Sequence, residues 1–223
     1  MRRTVRTLFG TSLAGGTIAV AAAVAVAAEL TWTLLPGGDI TATNVGNFFV
    51  RFESRGGYIS CSDTELRVTG KSGSGLPGQE IASMETVRFG GFTGDPTICE
   101  GPSGLATQLL VNDLPLEFNA ESYNALTGVT RGTFTNRDAG GITAKVVGLD
   151  DGCEADFRGP PGVEGEIQVS YSNGTGEVTL DGTNIEAVNV NSNCPTNIAQ
   201  NGDKIVVTGN RFKLDPVQTL TSP

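Results

Sequence analysis

The chain has 223 residues, no histidine, four cysteines, and 15 basic against 24 acidic side chains, a formal charge of −9 at pH 7. Without an imidazole, the usual serine, cysteine and zinc hydrolase centres, which take histidine as base or ligand, are excluded. So acidic a chain repels nucleic acid and anionic lipid, and no run of Lys or Arg offers a local exception.

Arg2, Arg3 and Arg6 form a positive start, and 7–28 carries no charge and is rich in Ala, Val and Gly. With Ala25-Val26-Ala27 or Val26-Ala27-Ala28 as a small-x-small cleavage site, 1–28 reads as a signal peptide. An uncleaved membrane anchor is the competing reading, since about 20 apolar residues can span a bilayer. Membrane contact is expected only in that case. Arg2-Arg3 suits a twin-arginine signal but its flanks do not, so the export route stays open. The three leader arginines leave 12 of the 15 basic residues against 24 acidic ones, a charge of −12 on the exported domain at 29–223.

Beyond the leader, period-two alternation dominates, broken by glycine-rich turns. Leu30, Trp32 and Leu34 alternate as a first strand does. Strands follow at 47–52 and 65–69, and the polar stretch 70–79 (GKSGSGLPGQ) reads as a loop. Further strands fall at 85–89, 106–111 and then at Leu114, Leu116 and Phe118, followed by 129–135 and 142–147. Ile167, Val169 and Tyr171 alternate, and Asn173-Gly174-Thr175-Gly176 turns the chain into Val178 and Leu180 as a hairpin. That turn also satisfies the N-glycosylation pattern, which in a bacterium is ordinarily silent. The last candidates are 185–190 and 204–208. Many short strands favour an all-β, antiparallel sandwich or barrel-like fold. Trp32, Phe48, Phe49, Phe52 and Tyr58 fit packing better than a ligand platform, aromatic residues being only 6% of the chain.

Hydrophobic content of 38% is low for a large core, so cross-links are expected to matter. Cys61, Cys99, Cys153 and Cys194 allow three pairings. Cys61 with Cys99 and Cys153 with Cys194 are preferred, because the separations, 38 and 41 residues, are similar and each pair brackets a comparable set of strands. The recurrence of cysteines suggests a pseudo-repeat with lobes at about 29–120 and 121–215. A metal role for the thiols is weak, with neither a C-x-x-C pair nor a histidine.

From about residue 81 to 214 the chain resembles a set of small secreted actinobacterial proteins of uncharacterised function. The residues that carry the resemblance are Thr97-Ile98-Cys99-Glu100-Gly101-Pro102, Leu114-Pro115-Leu116 and Gly128-Val129-Thr130-Arg131-Gly132-Thr133. They continue with Gly152-Cys153, Val169-Ser170-Tyr171-Ser172-Asn173-Gly174-Thr175-Gly176, Asn193-Cys194, Asn201-Gly202-Asp203 and Val207-Thr208-Gly209-Asn210. Leu116 and Asn210 stand where the set usually has aromatic residues. The resemblance implies secretion, a β fold and disulfides, and carries over no active site.

The densest group of carboxylates is Asp150, Asp151, Glu154 and Asp156, around a glycine turn. Four such groups could gather calcium, but the spacing is not that of an EF-hand, and a solvated acidic turn beside a disulfide is the favoured reading. The expectation is a secreted, non-catalytic binding or structural module of the cell envelope or extracellular space, with no cofactor and with its ligand unknown, an envelope or extracellular protein or glycan being the candidate class of partner. The alternative is a carboxylate-dependent extracellular enzyme acting on a polysaccharide, which needs two acids about 5 to 10 Å apart in a cleft.

Overall fold

The computed structural model describes residues 30–54, 56–136 and 140–223. The leader and its cleavage sites lie outside the described residues. Nineteen strands and a 3-10 turn, Pro102–Gly104, make up the regular structure, with no α-helix among the described residues. The fold is all-β and barrel-like, and it carries the disulfides Cys61–Cys99 and Cys153–Cys194.

The chain builds two eight-stranded bodies by dealing strands to them in turn. After β1 (Thr31–Leu35), β2 (Gly38–Asn44) goes to the first body, and β3 (Phe48–Phe52) with β4 (Tyr58–Cys61) to the second. β5 (Asp63–Gly70) returns to the first, β6 (Gly73–Pro77) turns aside to pair with β1, and β7 (Ala82–Gly90) resumes the first. β8 (Cys99–Glu100) and β9 (Ala106–Asn112) join the second body, β10 (Leu116–Asn124) and β11 (Val129–Thr135) the first. β12 (Thr143–Gly148) and β13 (Glu154–Arg158) then alternate with β14 (Ile167–Ser172) and β15 (Glu177–Thr183) in the same way. β16 (Glu186–Val188) and β17 (Ile205–Val206) complete the second body, β18 (Arg211–Asp215) completes the first, and β19 (Thr219–Thr221) pairs with β1. Each body therefore draws strands from both 29–120 and 121–215.

The first body is a closed antiparallel barrel in the order β10-β11-β14-β15-β18-β2-β5-β7, shut where Leu116 of β10 pairs with Met84 of β7. Closing eight strands demands curvature, which β-bulges supply. Registers shift between Ala120 and Ser122, between Arg67 and Val68, and between Gln168 and Val169. Opposite the first of these, Gly132 lets β11 press against β10, where a Cβ would run into the Asn119 carbonyl. The second body runs β16-β13-β12-β9-β8-β4-β3-β17, and its two edges meet at a bridge between Glu186 and Lys204. A small sheet, β19-β1-β6, lies over the first barrel, with Leu34 and Leu220 turned into its core.

The expected loop at 70–79 is a correction: Gly73–Pro77 is a strand. Its side chains show no alternation because the strand is held by main-chain pairing of Thr31 with Pro77 and of Trp32 with Leu76, and Leu76 alone of them packs on the core. The expected strands at 129–135 and 167–171 stand as β11 and β14. Trp32, as expected, is packed away, at 1% exposure.

Asparagine amides, which accept and donate at once, tie the pieces together. Asn210 accepts the Phe49 N–H and donates to the Phe49 carbonyl, both at 2.7 Å, fixing a residue of β3 in the second body beside β18 in the first. Asn191 accepts the Glu154 N–H and donates to the Gly152 carbonyl around the second disulfide.

Candidate functional site

A concavity lies inside the closed barrel. Strands that alternate put every second side chain on the lumen side, and those that line the cavity here are apolar apart from Tyr171. Leu116 and Phe118 come from β10, Phe134 from β11, and Val169 and Tyr171 from β14. Ala42, Leu66, Met84 and Phe212 continue the wall on β2, β5, β7 and β18. Phe48, Val111 and Ile142 of the second body's side close one end, and Leu34, Gln218 and Leu220 of the cap close the other. Ring pairs stiffen the wall: Phe118 and Phe134 lie 5.4 Å apart, and Phe48 sits 4.9 Å from Phe89.

These side chains do not fill the space. A cavity of about 130 Å³ remains among them, with no polar atom exposed on its wall. Tyr171 and Gln218 are the polar residues of the lining. The Tyr171 hydroxyl donates to the Gln218 carbonyl at 2.5 Å and accepts the Gln218 N–H at 3.1 Å. The Gln218 side chain accepts the Gly37 N–H and donates to the Pro216 carbonyl, each at 2.8 Å. Their hydrogen-bonding capacity is thus spent on latching the cap to β14. Burial pushes the Tyr171 phenol above its ordinary pKa, an effect partly offset by its hydrogen bond with the Gln218 backbone. The Thr64 hydroxyl is buried without a partner, but it lies outside the cavity lining.

Asn173 of the expected hairpin turn belongs to the same latch. It accepts the Leu220 N–H at 2.8 Å and donates to the Leu220 carbonyl at 2.9 Å, so the asparagine of the glycosylation pattern holds the C-terminal strand in place.

The acidic cluster lies elsewhere, on the second body. Asp150 and Asp151 sit in the turn between β12 and β13, where Asp150 accepts the Ala106 N–H at 2.8 Å and Asp151 the Cys153 N–H at 2.9 Å. Glu154 pairs with Lys145 at 2.7 Å, and Asp156 accepts from the Asn189 amide at 2.8 Å. The Glu154 carboxylate beside it holds the Lys145 ammonium above its ordinary pKa. Each carboxylate has its own local partner, and no group of three or more acidic or cysteine side chains among the described residues is placed to share a metal ion. The second body's own cavity measures about 30 Å³, room for a water molecule or two, and Asp151 is the one carboxylate in its lining.

Sequence reasoning found much of the lumen wall as alternating residues and assigned it to packing. What it missed was the space between them and the role of Tyr171, whose pairing with Gln218 spans 47 residues and leaves no local signal. Comparison of the sequence with known families and curated proteins, and of the fold with solved structures, returns no match.

Proposed function

We propose that the chain is a secreted, non-catalytic binding module whose site is the lumen of the closed barrel. The observation that carries this reading is the unfilled apolar cavity of about 130 Å³ at the centre of an otherwise tightly laddered domain. Protein interiors are ordinarily packed with few voids larger than a water molecule, since unfilled volume forfeits dispersion contacts. Eight-stranded barrels have an interior of the size that either fills with side chains or holds one small ligand. The export half of the reading is supported by the two disulfides, which persist in oxidising compartments, and by the positive, apolar and small-residue succession of 1–28. No helix among the described residues is long and apolar enough to cross a membrane.

Met84 lines the lumen and is the one methionine outside the leader, so a 13C label on its methyl group reports on the site directly. Xenon dissolved under pressure is expected to move that resonance in a saturable way. A resonance indifferent to xenon would end the reading.

A further inference from the structure

We infer that the lumen takes a small, uncharged, apolar molecule of about the size of benzene; this rests on the lumen being the binding site. Three properties of the wall define the class. The cavity, about 130 Å³, is close to the engineered cavity of about 150 Å³, walled by Leu, Ile and Phe, that stays dry and binds benzene or xenon. A long chain or fused ring system would have to displace the side chains that plug the two ends, Phe48 on one side and Leu34 and Leu220 on the other.

No acidic or basic side chain reaches the wall, so an ion entering it would lose its hydration with nothing in exchange. The polar residues of the lining cannot serve instead. Tyr171 and Gln218 already satisfy one another, the Gly37 N–H and the Pro216 carbonyl, and turning either toward a ligand would strand those groups. Discrimination is therefore by size and by the absence of charge. Phe118 and Phe134, with rings tilted 48° to one another, both line the cavity, and a flat aromatic guest can meet such rings by offset or edge-on contact.

The test uses the full exported domain with both disulfides intact, labelled at the Met84 methyl, and three probes with the same ring: benzene, benzoate and benzylammonium. Benzene is expected to shift the Met84 resonance and, at ten times its Kd, to raise the melting temperature by about 3 to 6 °C. The two charged probes are expected to leave both readings unchanged. Equal responses to benzene and to either ion would overturn the inference on charge while leaving the lumen as a site. A response to xenon without one to benzene would overturn it on size. Silence toward xenon as well would remove the underlying reading.

Discussion

The two eight-stranded bodies meet the same requirement, a stable all-β core in an acidic chain of modest hydrophobicity, in different ways. The closed barrel has long ladders, such as the pairing of Asp63–Gly70 with Ala82–Gly90, and no disulfide. The second body includes strands of two or three residues, β8, β16 and β17, and holds both disulfides. Where the backbone ladder is short, covalent bonds take over the bracing. Where the ladder closes on itself, the interior can leave volume unfilled, about 130 Å³ against about 30 Å³. Covalent bracing and unfilled volume are thus divided between the bodies.

The largest test of that division removes a brace. Replacing Cys61 and Cys99 together, or Cys153 and Cys194, by Ala is expected to cost about 4 kcal/mol in urea unfolding, from the closure entropy of loops spanning 38 and 41 residues. Amide hydrogen exchange is expected to rise across β8, β16 and β17 while β5, β7, β10 and β11 stay protected. Exchange rising evenly in both bodies would break the comparison.

Next in size is the joint between them. Asn210 is 5% exposed, and Asn210→Ala strands the part-buried Phe49 N–H and carbonyl, so that about 2 kcal/mol of stability is expected to go with them. The wall of each cavity gives a smaller test with opposite signs. Ala42→Val adds methyl groups toward the larger space and is expected to stabilise by about 1 kcal/mol, whereas Ala155→Val faces the second body's cavity of about 30 Å³, too small to take the added methyl groups without strain, and is expected to destabilise by about 1 kcal/mol or more. Thermal melts of the two variants that moved in the same direction would refute the contrast in packing.

The cap latch is readable through pH. An unfolded tyrosine loses its proton near pH 10, and Tyr171 in the fold holds its proton to higher pH because it is buried. Its share of the stability is complete below about pH 10 and is lost as pH rises from there through the folded value. Tyr171→Phe is therefore expected to flatten the fall of the melting temperature above pH 10 relative to the natural chain. The smallest effect is expected at the acidic turn. Because Asp150, Asp151, Glu154 and Asp156 each have a separate partner, millimolar calcium is expected to leave the melting temperature unchanged. A rise would give the second body a ligand of its own.

Local signals went far with the first body. Period two is a property of the strand itself, so the apolar faces at Leu116 and Phe118 and at Val169 and Tyr171 were legible residue by residue. Strands held by main-chain pairing alone, above all Gly73–Pro77, were not, because nothing in their side chains records the partner. The cysteine pairing was legible from spacing, and the bonds formed are Cys61–Cys99 and Cys153–Cys194. The site was not. Its wall is made of residues whose chemistry reads as ordinary core, and whether a core fills its space depends on the distance between strands far apart in the chain.

The amino-acid sequence by itself determined the strand character, the acidity, the absence of imidazole chemistry and the supply of cross-links, since each is written in single residues or short periods. Tertiary structure alone decided that strands would be dealt alternately to two bodies and that one would close. It also decided that Tyr171 and Gln218 would spend their hydrogen bonds on a latch and leave an apolar space behind them. Those outcomes turn on long-range register and on leftover volume, quantities that exist only once distant strands have met.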